Sequence, residues 1–244
     1  MASHLLLLSN STVPGMRYLE HAIDAISEFL GDERTVHFVP YALADHSGYT
    51  ARIQEALKPL GVTIVGLHTQ KNPGKTLETA RVLFVGGGNS FRLLKGLQQA
   101  NLLEVVRQRV TKGELRYLGS SAGTNMACPT LRTTNDMPIV EPVSFESFGL
   151  IPFQINPHYV DPDPKVVHMG ETRDKRIEQF LEENDVPVLG MREGAWLSRK
   201  GPQLRLAGVV GARLFLRGQP PQEFEPGADL SHLLHLPAHF DQSP

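Results

Sequence analysis

Apolar residues in this chain fall in short unbroken runs, and the stretches between them repeat with helical spacing. Leu5 to Leu8 is such a run, closed by Ser9-Asn10-Ser11. It reads as a strand buried on both faces. Pro14 suits the first turn of the helix that follows, where Leu19, Ala22, Ile23, Ile26, Phe29 and Leu30 share one side and Gly31 marks the end. Val36 to Val39, Val62 to Leu67 and Val82 to Val85 are further buried strands. A helix from Tyr49 to Leu60 and a short helical piece from Thr76 to Ala80 separate them. Phe91 to Gln98 and Leu102 to Val110 are helical before a strand that opens at Leu115. Strands alternating with helices predict an α/β fold of three layers, a mostly parallel sheet with helices on both faces.

The pattern loosens after residue 130. Thr130 to Phe148 holds Pro138 and Pro142 and no clean period, so an ordered excursion over the surface is expected. Phe153 to Asn156 is a short strand running into Pro157-His158, and Asp161 to Pro164 is turn-like. Thr172 to Glu183 is a helix with Ile177, Phe180 and Leu181 inward, and Val186 to Met191 is a strand leading into Arg192-Glu193-Gly194. From Ala195 to Phe224 the alternation predicts a C-terminal antiparallel hairpin region. The expected organisation is one α/β hydrolytic domain over residues 1–225, with a peripheral C-terminal tail over 226–244.

Composition narrows the function classes. With 41% hydrophobic residues, 20% charged and a net charge of −2, no basic field invites nucleic acid. No apolar run approaches the roughly 20 residues that span a bilayer, so no membrane association is expected. The single Cys128 excludes an internal disulfide and fits a reducing, cytoplasmic setting.

The candidate chemistry centres on LRYLGSSAGTNM, Leu115 to Met126. Gly119-Ser120-Ser121-Ala122-Gly123 is a G-x-S-x-G pattern: a strand turns sharply into a helix with Ser121 at the apex and Ser120 directed back into the sheet. In an open parallel sheet, reactive groups gather past the carboxyl ends of strands. Other strand ends here carry Gly86-Gly87-Gly88-Asn89, His158 and Glu193. Acyl transfer needs a nucleophile, a base, an acid to orient the base and amide donors for the oxyanion. Ser121, His158 and a carboxylate supply the first three, and the amides of Gly87 or Gly88 with Ala122 supply the fourth. Each has a plainer reading: a phosphate-binding or tight turn for the glycines, a surface or capping role for His158, a salt-bridged loop position for Glu193. Cys128, about two helical turns past the serine, reads as a small buried hydrophobe.

Long blocks carry a resemblance across most of the chain: LLLLSNST, FVGGGNSFRLLK, SAGTNMACPTLRTTNDMPIV, FQINPHY, GETRDKRIEQFL and LGMREGAW, with little from about Pro226 onward. In these the chain resembles the peptidase E, or α-aspartyl dipeptidase, family of serine peptidases, whose fold is related to the class I glutamine amidotransferase domain. The resemblance implies hydrolysis of Asp-X dipeptides; no metal or cofactor is expected, and the chain is expected to be a monomer or homodimer. It implies Ser121 as nucleophile, His158 as base, and either Glu193 or Asp136 as the third member. The strand-end position favours Glu193, while Asp136 in the excursion could instead shape the substrate pocket. Arg173, in GETR, is implied to bind the side chain of the substrate aspartate. Without the resemblance it reads as a charge on a solvated helix face. Asn89 beside the glycines is a further candidate for substrate binding. The chain departs from the family pattern at Ser120, where a bulkier residue is usual. The alternatives are a cyanophycinase-like hydrolase of aspartyl backbones and an inactive binding module of the same fold. A nucleotide site is disfavoured, since neither G-x-G-x-x-G nor a lysine-bearing phosphate loop is present.

Overall fold

The computed structural model describes residues 3–162 and 170–242. The elements in chain order are β1 (His4–Leu8), α1 (Ile23–Leu30), β2 (Thr35–Val39), α2 (His46–Leu57), β3 (Thr63–Gly66), α3 (Pro73–Leu77), β4 (Val82–Val85), α4 (Ser90–Gln99), α5 (Leu103–Lys112), β5 (Arg116–Ser120) and α6 (Ala122–Ala127). Then come β6 (Gln154–Tyr159), α7 (Arg173–Glu183), β7 (Val188–Arg192), β8 (Ala195–Lys200), β9 (Gln203–Gly208), β10 (Ala212–Phe215) and β11 (Gln222–Phe224).

The main sheet has the order β3-β2-β4-β5-β1-β8-β9, with β3 to β1 parallel and β8 and β9 antiparallel at one edge. Period-two geometry sends alternate residues to opposite faces. Leu6, Leu8, Phe38, Phe84 and Leu118 meet Ile26 and Phe29 of α1 and Tyr49 and Ile53 of α2 on one side. Leu5, Leu7, Val85 and Tyr117 meet Leu93 and Leu97 of α4, Val106 of α5 and Met126 of α6 on the other. The four leucines of β1 are therefore apolar throughout because both faces are covered. This is the expected α/β architecture.

A second, four-stranded sheet, β11-β10-β7-β6, pairs β6 with β7 in parallel. The sequence reading put the strands of His158 and Glu193 among the ends of one open sheet, but they form this separate sheet. The chain returns to the main sheet directly through Glu193-Gly194 into β8, where the Ser9 amide bonds the Ala195 carbonyl at 3.0 Å.

Several boundaries shift for local reasons. Pro14 precedes the helix region, which begins with a 3-10 turn at Glu20. Helix α2 starts at His46, capped by Asp45, and its last turn, Lys58–Leu60, tightens to 3-10. Helix α3 starts at Pro73 because the Asn72 side chain accepts from the Lys75 amide. The excursion is anchored rather than superficial: Leu131, Thr133, Ser147 and Phe148 are buried. Leu230 and Leu233, in the stretch expected to be a peripheral tail, are also fully buried. That stretch hydrogen-bonds β9 through Leu230 to Leu204 at 2.8 Å. Part of the turn expected from Asp161 to Pro164 lies outside the described residues. Among the described residues, no helix is long and apolar enough to cross a membrane.

Candidate active site

Ser121 stands between β5 and α6 with φ 53° and ψ −112°. A residue with a Cβ rarely adopts such a conformation, and it persists only when its surroundings over-determine it. Here they do. The Ser121 amide donates to the Leu8 carbonyl at 3.0 Å, and its carbonyl accepts from Thr124 and Asn125 at 2.8 and 3.0 Å. The flanking glycines are needed for packing rather than for unusual φ. A Cβ on Gly123 would lie 2.0 Å from the Val85 carbonyl oxygen, and one on Gly119 would lie 2.6 Å from that of Gly123. Helix α6 therefore presses directly on β4 and β5, and Ser121 alone absorbs the turn. Ser120 faces inward as expected, its hydroxyl 2.6 Å from that of Ser11.

His158 also has a left-handed backbone, with φ 52°, at a register shift in the β6–β7 ladder between Pro157 and Tyr159. Bulges re-aim side chains next to functional sites. The imidazole Nε2 is 2.8 Å from Ser121 Oγ and Nδ1 is 2.7 Å from Glu193 Oε1. With the carboxylate accepting from Nδ1–H, Nε2 is left as the acceptor for the serine hydroxyl. Arg192, next to Glu193 in the chain, binds Asp161 and Glu223 instead, at 2.6 and 3.0 Å. Asp161 above all, with Glu223, pushes the Arg192 guanidinium pKa up, and Arg192 in turn draws the Asp161 carboxyl down. The side chains of His158 and Glu193 are 39% and 49% exposed, so this pair adds little to stability.

The glycine turn lies against the serine. A Cβ on Gly87 would come within 3.0 Å of Ser121 Cβ. Gly88 has φ +129° and no room for a side chain beside Ala42 and Leu43. Tyr49 lies on the same wall, and burial above all pushes its phenol's pKa up. Ala122 is the first residue of α6, where amides lack intrahelical acceptors. A cavity of about 280 Å³ opens here, lined by Asn10, Tyr18, Tyr49, Arg52, Gly87, Gly88, Ser121 and His158 among others.

The other expected site residues fall elsewhere. Asp136 accepts from the amide and hydroxyl of Ser90 at 2.7 and 2.6 Å, at the start of α4. It makes no hydrogen bond to His158. Asn89 caps the same helix: its Oδ1 accepts from the Arg92 amide and its Nδ2 donates to the Met137 carbonyl. Each polar end of Asn89 thus has one partner within the protein. Arg173 opens α7 and is half-buried, without an ion pair among the described residues. Burial draws its pKa down. It does not line the 280 Å³ cavity. Cys128 is buried, and its thiol is pushed up to about 12, so it is inert. Among the described residues, no cluster of three or more His, Cys, Asp and Glu could hold a metal ion.

Sequence reasoning passed over the polar stretch after β1. Ser9 Oγ accepts from the His158 amide at 3.0 Å and donates to the Met191 carbonyl at 2.8 Å. Asn10 Oδ1 accepts from the Gly194 amide at 2.8 Å. These two side chains tie the His158 and Glu193 segments to the end of β1. The signal in the sequence is two polar residues directly at a strand's carboxyl end.

A serine, an imidazole and a carboxylate in one hydrogen-bonded line, beside amides at a helix start, belong to hydrolases that work through serine. The chain belongs to peptidase family S51, whose family model matches residues 5–207. It is 57% identical over 238 residues to peptidase E of Streptomyces coelicolor, covering 98% of each chain. It is 46% identical over 235 residues to the Drosophila melanogaster protein named "Probable alpha-aspartyl dipeptidase", covering 96% of this chain and 98% of that one. The fold also matches the solved structure of a peptidase from an acI-B1 Actinobacterium, with TM-score 0.64 at 17% identity over 94% of this chain and 97% of that one.

Proposed function

We propose that this protein is a serine dipeptidase that hydrolyses Asp-X dipeptides through an acyl-enzyme on Ser121. The observation that carries it is the Ser121–His158–Glu193 line in a chain of peptidase family S51. The relative named for alpha-aspartyl dipeptidase activity supports the substrate class.

In the proposed reaction, Ser121 sits at a nucleophile elbow. Its hydroxyl attacks the peptide carbonyl while His158 Nε2 takes the proton, and Glu193 holds the imidazole tautomer and the imidazolium that forms. The amides of Gly88 and Ala122, with Gly87 alongside, face the developing oxyanion, and each such donor contributes about 3 kcal/mol to the transition state. The proton passes to the leaving amine. Water, activated by the same imidazole, then releases aspartate. Arg173 takes the aspartate side chain. Its half-buried guanidinium has no counter-charge among the described residues, and a substrate carboxylate supplies one. The single buried, inert Cys128 suits a cytoplasmic enzyme.

The test is hydrolysis of a panel: Asp-Leu, Glu-Leu, Asn-Leu and Asp-Leu-Leu. The reading expects Asp-Leu to dominate, with Asn-Leu slower by about 100-fold or more because Arg173 is left unpaired. Equal rates on Asp-Leu and Asn-Leu would remove the Arg173 assignment. Preferential cleavage of aspartyl polymers would replace the dipeptidase reading.

A further inference from the structure

The cavity above Ser121 is lined by an arginine, Arg52, on α2 one turn beyond Tyr49. Its guanidinium lies 6.0 Å from the centre of the Tyr18 ring, and Tyr18 is tied to Tyr49 by a 3.1 Å hydrogen bond between hydroxyls. Tyr18 and Arg52 also form the wall of an adjoining hollow of about 770 Å³, which includes Ile23, Ala56 and Pro59. The acids around that hollow are already matched. Glu20 pairs with Arg17 at 3.3 Å and Glu55 with Lys58 at 3.7 Å. Arg52 has no ion pair among the described residues, although it faces the same cavity as the reactive serine. A ring under one face keeps the planar fork in place at little conformational cost.

An Asp-X dipeptide carries two carboxylates, one on the aspartate side chain and one at the end of the leaving residue. Arg173 answers the first. We propose that Arg52 binds the second, the α-carboxylate of the leaving residue, and so restricts hydrolysis to dipeptides. This rests on the dipeptidase reading above. The scissile carbonyl must lie at Ser121 Oγ, so a leaving residue in this cavity presents its carboxylate toward α2 and its side chain to the apolar side of the adjoining hollow. A longer peptide places a neutral amide where the carboxylate would be. The fork then loses its charged partner, and affinity falls.

The experiment measures kcat/KM for Asp-Leu and for Asp-Leu amide with wild type, Arg52→Ala and Arg52→Lys. Wild type should prefer the free acid. Arg52→Ala should lose about 10- to 100-fold on Asp-Leu, mostly in KM, and much less on the amide, so that the preference collapses. Arg52→Lys, which keeps the charge without the fork, should hold an intermediate preference. Equal losses on both substrates, or a preference unchanged in Arg52→Ala, would overturn the assignment. If wild type itself cleaved neither substrate, the dipeptidase reading would fail first and this inference with it.

Discussion

His158 Nε2 lies 2.8 Å from Ser121 Oγ, and both residues hold a left-handed backbone, φ 52° and 53°. Ser121 follows β5 of the main sheet and His158 lies in β6 of the second, and an unusual backbone turn on each side brings the two side chains together. Two strained positions converging on one hydrogen bond indicate a site where stability has been given up for geometry.

Glu193 and Asp136 separate cleanly by contact. Glu193→Gln should lower kcat by about 1,000- to 10,000-fold, because the amide no longer enforces the tautomer that leaves Nε2 free. Asp136→Asn should keep most of kcat but lower stability by about 0.3–1 kcal/mol through the lost charge at the start of α4. Steady-state kinetics and urea unfolding of both variants check this. A larger kcat loss in Asp136→Asn would reverse the roles.

Ser9 acts through His158. Ser9→Ala leaves the His158 amide and the Met191 carbonyl without their partner. The expected cost is about 1–3 kcal/mol in stability. We also expect a fall in kcat of about 10-fold or more with KM little changed, since a small displacement of the imidazole weakens proton transfer. A variant with unchanged kcat would make Ser9 a structural residue only.

The C-terminal stretch contributes to the core. Leu233 is fully buried against the cluster that includes Leu204 and Leu206. Leu233→Ala should therefore cost about 2–4 kcal/mol, read as a shift of the urea midpoint at constant slope. A shift within about 0.5 kcal/mol would show that the stretch is dispensable.

The acid side of the stability curve should carry a mark of His4. Burial first, then Arg116 and Lys200, lower its pKa from 6.5 to about 4 in the folded protein. The unfolded chain thus binds a proton that the folded one refuses, so stability falls as pH drops from about 6.5 toward 4. Removing the titrating group with His4→Gln should flatten that part of the profile. An unchanged slope between pH 7 and 5 would contradict the assignment.

Much of this site is legible in the sequence because parallel-sheet strands are short apolar runs whose ends are easy to mark. The G-x-S-x-G turn, GGGN, His158 and Glu193 all stand at such ends. Asp136 and Asn89 were harder, since a polar side chain at a helix start looks the same whether it caps amides or faces a substrate. The bonds of Asp136 to Ser90 and of Asn89 to the Met137 carbonyl depend on how the excursion folds back onto α4, whereas the Asn89 cap on Arg92 is local. The separation of β6 and β7 into a second sheet follows from long-range pairing with β10, which the local pattern does not encode. Arg52 was invisible for the same reason: it lies on the outer side of an ordinary helix until α2 is set beside the glycine turn.

The most direct measurement is the rate of Asp-Leu hydrolysis by wild type and by Ser121→Ala at matched, folded concentrations. The account predicts rapid cleavage by wild type and a loss of about 10,000-fold or more in the variant, with Asp-Leu still bound. Cleavage by Ser121→Ala at a rate close to wild type would contradict it.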